Sequence, residues 1–214
     1  QMARKIPIET SARHIHLSEA DYKILFGENA NINFLQELSQ PGQYVTDARV
    51  TVKGPKSSFE RVAVLGPFRK QTQVEIAVTD ARKLGIPSCI RQSGDIEGTP
   101  GCTLVGPADE LELEKGVIVA KRHIHMAPVD AIRMHVHDND NVFVIVKSFE
   151  RALIYADVVV RVDPGFRLAM HIDTDEANAF ANDESPEGVI LKLFDDSTYN
   201  LNTWMEELQS GINR

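Results

Sequence analysis

Cysteine is scarce in this chain of 214 residues: Cys89 and Cys102 are its only two, too few for a disulfide framework, which fits a reducing cytosol. No apolar run approaches the roughly 20 residues needed to cross a bilayer, so no membrane partner is expected. The first twenty residues lack the basic start and apolar stretch of a signal peptide. Positive charge is also in deficit. Against 31 Asp and Glu stand 23 Lys and Arg, a formal net charge of −8, which argues against a nucleic-acid partner while leaving room for local anion sites. What is present in quantity is apolar material, 43% of residues, enough to bury one large core or two small ones.

The dominant periodicity is that of strands. β-branched runs recur at residues 5–10, 44–52, 61–65, 73–78, 117–120, 142–147, 156–162 and 189–194. Between them stand turn signals: Pro41-Gly42, Gly54-Pro55, Gly66-Pro67, Pro100-Gly101, Gly106-Pro107 and Pro164-Gly165. Helical signals are short. Ser18 caps a helix over residues 19–26 with Gly27 as its stop, and Pro128 opens another that runs to about Met134. Thr79 or Asp80 is expected to cap residues 81–84, Thr174 to cap residues 175–180, and residues 203–208 to form a terminal helix. The fold class is mainly β, in sandwiches or barrels with helical plugs.

An internal repeat is visible. Ile8-Glu-Thr-Ser-Ala-Arg-His-Ile-His-Leu-Ser18 is matched by Val117-Ile-Val-Ala-Lys-Arg-His-Ile-His-Met-Ala127, and Glu75 to Ala81 by His171 to Ala177. A further match, residues 58–61 with 148–151, has an offset unlike the others and is discounted. Duplication of one domain, with insertions in the first copy, is the simplest account.

Side chains two apart on a strand share a face, so His14 with His16, and His123 with His125, each present a chelating pair suited to zinc or another borderline metal. The repeat supplies Glu75 as third donor to the first pair and His171 to the second. Three protein donors leave one position for water or substrate, the pattern of a catalytic metal site. His135-x-His137 has no counterpart in the first copy and reads as a solvated helix end. Arg13 and Arg122 precede the dyads, and Arg69 and Arg167 precede the third donors at even offsets that would place each on the donor's face of a continuous strand. A guanidinium there suits phosphate or carboxylate, with a plain salt bridge as the alternative. Cys89 and Cys102 have no general-base motif and read as incidental thiols. The glycine-rich stretch 94–101 lacks Gly-Lys-Ser/Thr and is no phosphate-binding loop of that type; it reads as a tight connection bordering the site.

Ser11-Ala-Arg-His-Ile-His-Leu-Ser18, Leu65-Gly-Pro-Phe-Arg-Lys-Gln-Thr-Gln-Val-Glu75, Thr79-Asp-Ala-Arg-Lys-Leu-Gly-Ile86, Arg91-Gln-Ser-Gly-Asp-Ile-Glu-Gly-Thr-Pro-Gly101 and Val119-Ala-Lys-Arg-His-Ile-His-Met126 together resemble the PduL-type phosphotransacylases, the phosphate propanoyltransferases of bacterial microcompartments. The resemblance covers residues 6–193. It implies two β-barrels capped by short helices, with the first strand exchanged into the second barrel: residues 13–120 in one, 3–12 with 121–190 in the other, and 191–214 as a C-terminal strand and helix tail. It implies two zinc ions, or another divalent metal, on His14, His16, Glu75, His123, His125 and His171, with Arg69 contacting phosphate. The activity implied is exchange of an acyl group, propanoyl or another short chain, between coenzyme A and inorganic phosphate, by direct attack of phosphate on the thioester. Ser11 and Asn178, which flank the donors, are candidates for contacting coenzyme A. A cytoplasmic location inside a microcompartment, a homodimer or higher homo-oligomer and microcompartment partners are also expected. Members of the family often carry an amphipathic N-terminal targeting extension; this sequence starts almost at its first strand, so the extension is expected to be missing from it, whether naturally or by removal.

Three other readings use the same donors. A zinc-dependent acyl-CoA hydrolase would transfer the acyl group to water instead of phosphate. A cupin-type dioxygenase would need its glutamate a few residues past the dyad, whereas Glu75 lies far beyond His16. A non-catalytic metal-stabilised module would have no open coordination position.

Overall fold

The computed structural model describes residues 5–148, 150–180 and 185–191. The terminal helix expected at residues 203–208, and the tail beyond Leu191, lie outside the described residues. In chain order the elements are β1 (Ile6–Ser11), β2 (His14–Ser18), α1 (Glu19–Phe26), β3 (Phe34–Glu37), β4 (Tyr44–Lys53), β5 (Ser58–Arg69), β6 (Gln73–Glu75), α2 (Val78–Leu84), β7 (Ile90–Arg91), β8 (Cys102–Val105), β9 (Glu110–Leu113), β10 (Val117–Ala120), β11 (His123–Met126), α3 (Pro128–Met134), β12 (Asn141–Val146), β13 (Leu153–Val162), β14 (Ala169–Asp173), α4 (Thr174–Ala177) and β15 (Glu187–Leu191). The chain is mainly β, as its period-two patterning predicts. No described helix is long and apolar enough to cross a membrane.

Two compact units result, one of residues 11–121 and one joining residues 5–10 to the described residues from 122 onward. In the second unit six strands close a barrel in the order β1-β14-β11-β13-β12-β15. Its core holds Ile6, Ile124, Met126, Val144, Val158, Val160 and Met170. The first unit is a curled nine-stranded sheet in the order β7-β10-β6-β2-β5-β4-β8-β9, with β3 also on β4, around Ile15, Leu17, Leu25, Val50, Val64, Val74, Leu84 and Leu104. Its edges β7 and β9 do not meet.

The repeat is legible in the pairing. β2 lies parallel to β5 and antiparallel to β6, while β11 lies parallel to β13 and antiparallel to β14. The strand leading into each dyad serves the other copy. β10 pairs with β6, and β1 neighbours β14.

Local chemistry explains where the elements start and stop. Ser18 caps α1 as expected, its hydroxyl accepting from the Asp21 amide at 3.1 Å, and Gly27 ends it. α3 spans the predicted residues. α2 corrects the expectation: it begins at Val78 behind Ala77, and neither Thr79 nor Asp80 is the cap. Instead the Asp80 carboxylate reaches back to accept the Ala77 amide at 3.1 Å, which cuts the expected strand 73–78 short at Glu75. α4 is likewise capped by Asp173, not Thr174, because Asp173 and Glu176 accept each other's amides at 2.9 Å. Gly66-Pro67, read as a turn, lies inside β5 with a cis peptide bond. Gly66 stands opposite Tyr44, whose ring lies over the glycine where a larger residue would displace it.

Candidate active site

In the first unit the apolar alternation of β2 sets the site. Ile15 and Leu17 enter the core, so His14 and His16 share the opposite face. Antiparallel pairing puts Glu75 directly across from His14 and Gln73 across from His16. Glu75 lies between the imidazoles, Oε2 at 3.2 Å from His14 Nε2 and Oε1 at 3.6 Å from His16 Nε2. The His14 Nδ1–H donates to the Ala12 carbonyl at 2.8 Å, which turns Nε2 toward the carboxylate.

Behind the donors runs a polar network. Gln73 Nε2 donates to Glu75 Oε1 at 2.7 Å and to Ser93 Oγ at 2.9 Å. The Ser93 hydroxyl donates to Glu75 Oε1 at 3.1 Å and accepts from Arg69 Nη1 at 2.9 Å. The loop that supplies Ser93 is pinned by the Gly94 amide, which donates to Gln73 Oε1 at 2.7 Å. Gly94 adopts φ +97°, a conformation that favours glycine. The glycine-rich stretch therefore borders the site.

Burial favours the neutral imidazole at both histidines. At His16 it prevails and lowers the pKa to about 4; at His14 the adjacent Glu75 carboxylate outweighs it and the pKa is raised. Glu75, though buried, is held well below the usual carboxylate range, chiefly by His14.

The second unit repeats the plan with another donor. Ile124 and Met126 fill the core, His123 and His125 share the other face, and His171 stands directly opposite His123. The ring centroids lie 4.6 Å (His123 to His125), 5.1 Å (His123 to His171) and 4.8 Å (His125 to His171) apart. Phe166 packs on His125 at 4.2 Å. Burial, then His123, His171 and Arg161, lowers the His125 pKa to about 3. Glu9 of β1 stands behind His171, Oε2 at 3.7 Å from Nδ1. At the matching place in the first unit β10 carries the buried Ile118, in register with Glu75.

These triples are the two groups of His, Cys, Asp or Glu among the described residues whose donor atoms converge to within 4.8 Å. A tetrahedral ion with bonds of about 2.0–2.2 Å holds its donors roughly 3.3–3.6 Å apart, close to the 3.2 and 3.6 Å of the Glu75 contacts. In the second triple, His125 Nδ1 is buried with no hydrogen-bond partner among the described residues, an orphan that a bound cation would satisfy. The residues fit a metal.

The remaining candidates separate. Arg69 ends β5 and a turn intervenes before β6, so it reaches the donors through Ser93 and not along one continuous strand. Arg167 is exposed and precedes β14. Arg13 and Arg122 are engaged in salt bridges, to Asp80 at 2.8 Å and Glu176 at 2.9 Å. Ser11 ends β1, half-buried, and Asn178 is exposed at the end of α4; neither is bonded to a donor side chain among the described residues. His135 and His137 are exposed. Cys102 is buried, its thiol pushed up to about 12 by burial. Ser93, Gln73 and Glu9 were not singled out from the sequence. Gln73 was findable, since it lies two residues before Glu75 on the same strand face, whereas Glu9 meets His171 only through the exchanged strand.

A two-unit β protein with a three-donor cluster in each unit is the class that fold and site define. The phosphate propanoyltransferase family model matches residues 7–183. Phosphate propanoyltransferases of Salmonella arizonae and Thermotoga maritima are each 53% identical to the chain, covering 85% and 84% of it and 86% and 87% of their own lengths. That of Citrobacter freundii is 54% identical over 84% of this chain and 85% of its own. The chain belongs to the phosphate propanoyltransferase family and is an enzyme, a phosphate acyltransferase.

Proposed function

We propose that the chain interconverts a short acyl-CoA, propanoyl-CoA or a close relative, and phosphate with the acyl phosphate and free coenzyme A. The carrying observation is the arginine at the donors: Arg69 is fixed through Ser93 beside the His14, His16 and Glu75 cluster. A divalent ion, zinc by the chemistry of the donors, would be held by that triple and a second by His123, His125 and His171; bound there it would lower the charge on phosphate and polarise the thioester carbonyl.

The chain's own residues supply the rest. The Arg69 guanidinium offers a planar fork to two phosphate oxygens, and its bond to Ser93 fixes the fork before substrate arrives. A phosphate oxygen attacks the acyl carbon, the C–O bond forms, and the C–S bond breaks with its electron pair leaving on sulfur as the coenzyme A thiolate. Direct attack by phosphate requires no protein nucleophile, so the transfer is proposed to proceed in a ternary complex without an acyl-enzyme; Cys102, buried and with its thiol pushed up to about 12, takes no part. Holding both reactants in line is worth up to about 7–11 kcal/mol. Ser11 and Asn178 are proposed as contacts for coenzyme A.

The test is to supply acyl-CoA with and without phosphate, following thiol release and acyl phosphate together. Stoichiometric acyl phosphate, with thiol release dependent on phosphate, is expected. Thiol release at the same rate without phosphate would establish a hydrolase instead.

A further inference from the structure

Each unit contains a second repeated constellation beside its donor cluster. Arg13, one residue before its dyad, donates from Nη2 to Asp80 Oδ1 at 2.8 Å and lies over the Phe59 ring at 4.0 Å. Arg122, one residue before the other dyad, meets Glu176 at 2.9 Å through Nε and lies over the Tyr155 ring at 5.4 Å. The positions correspond throughout. Asp80 and Glu176 each follow the third donor by five residues, and each aromatic residue precedes its acid by 21. The second oxygen of each acid accepts the amide at its helix N-cap, Ala77 at 3.1 Å and Asp173 at 2.9 Å.

The two copies differ in just the ways that preserve this contact. Glutamate is one methylene longer than aspartate, and Arg122 meets it with the nearer Nε where Arg13 uses the tip of its fork. Tyr155 adds a hydroxyl that donates to the Glu176 backbone carbonyl. Two residues beyond each aromatic, a non-glycine residue has positive φ, Arg61 at 57° and Asp157 at 52°, and the pairing register shifts there in both copies. A kink retained twice in an unfavourable conformation re-aims a side chain, and here the re-aimed residues are Phe59 and Tyr155.

We infer that these triads, Arg13-Phe59-Asp80 and Arg122-Tyr155-Glu176, are clasps that set the spacing of the metal donors. In each unit the first histidine of the dyad faces the third donor directly across an antiparallel pair, His14 to Glu75 and His123 to His171. A one-residue slip would turn the third donor to the wrong face. The arginine bolts the start of the dyad strand to the helix that follows the third donor, and the aromatic ring holds the arginine flat for that contact. Arg13 and Arg122 are therefore positioning residues, not phosphate ligands.

The inference rests on the metal reading above. The experiment loads the full-length protein with zinc and follows its release to a chelator in wild type, Asp80→Asn, Glu176→Gln and the double variant. In each single variant one of the two zinc equivalents should leave 10–100-fold faster, and in the double variant both. Release within twofold of wild type from a folded variant, even with a lowered melting temperature, would show an ordinary stabilising salt bridge and overturn the inference. Should a variant fail to fold, Arg13→Lys and Arg122→Lys keep the charge but lose the planar fork, and the same two results decide. Wild-type protein that binds no zinc would overturn the metal reading itself, which separates the two failures.

Discussion

In one unit the third donor is a carboxylate, Glu75, and the β10 residue in register with it is the apolar Ile118. In the other the third donor is an imidazole, His171, and a carboxylate, Glu9 of β1, stands 3.7 Å behind it. The negative charge has moved one strand outward while each cluster keeps one carboxylate. A divalent ion on two imidazoles and a carboxylate retains one net positive charge; on three imidazoles it would retain two were Glu9 absent. What the pair teaches is that donor identity can drift between copies while local charge and register stay fixed.

The comparison breaks most visibly at the donors. His16→Ala and His125→Ala should each remove one of two bound metal equivalents and lower turnover by more than about 100-fold, with far-UV circular dichroism retained. If only one of them lowers turnover, the two clusters are not catalytic equals. The arginines come next. Arg69→Ala should raise the phosphate KM about 10–100-fold and leave the acyl-CoA KM within roughly twofold, while Arg167→Ala, exposed and off its strand, should change neither. Equal effects would mean that both copies hold phosphate. A smaller change is expected from Glu9→Gln: about tenfold weaker metal binding in the second unit only, read by titration of the metal-free protein.

A test that needs neither metal nor substrate is stability against pH. His16 and His125 have folded pKa values of about 4 and about 3, below the unfolded value of 6.5. As pH falls below 6.5 the unfolded chain binds protons that the folded chain refuses. Each histidine should thus cost the metal-free protein roughly 1 kcal/mol per pH unit, ending near pH 4 for His16 and near pH 3 for His125. Denaturant titrations of His16→Asn and His125→Asn between pH 7 and 4 should each show a shallower slope than wild type; an unchanged slope contradicts the assignment.

Much of this was legible in the sequence because the signals were local. The two His-Ile-His segments announce a shared strand face, and Ser18 with Gly27 brackets α1. The start of α2 was not legible, since a cap residue is sought by its own side chain and Ala77 has none to offer. There the acid at the third helical position works alone. Arg13 and Arg122 read more readily as salt-bridge arginines than as anion ligands, but the acids that claim them could not be named, because they lie far along the chain. Ser93 lay within a quoted motif, yet its role depends on a loop folding back to Gln73. Residue patterning left sandwiches and barrels open, because pairing order is decided by contacts between distant segments; only the family resemblance implied barrels.

The exchanged strands bear on how the molecule is made. Ile6 pairs with Gly188, so β1 leaves the ribosome early and must wait for almost the whole chain before its neighbour β15 arrives. Residues 11–121 can meanwhile assemble from consecutive material, since β10 arrives as the last of their strands. During translation β1 is an unpaired strand attached to an otherwise complete body, and it fits the corresponding gap in another nascent chain as well as its own. The interval before β15 is synthesised is therefore when two polypeptides are most prone to become entangled.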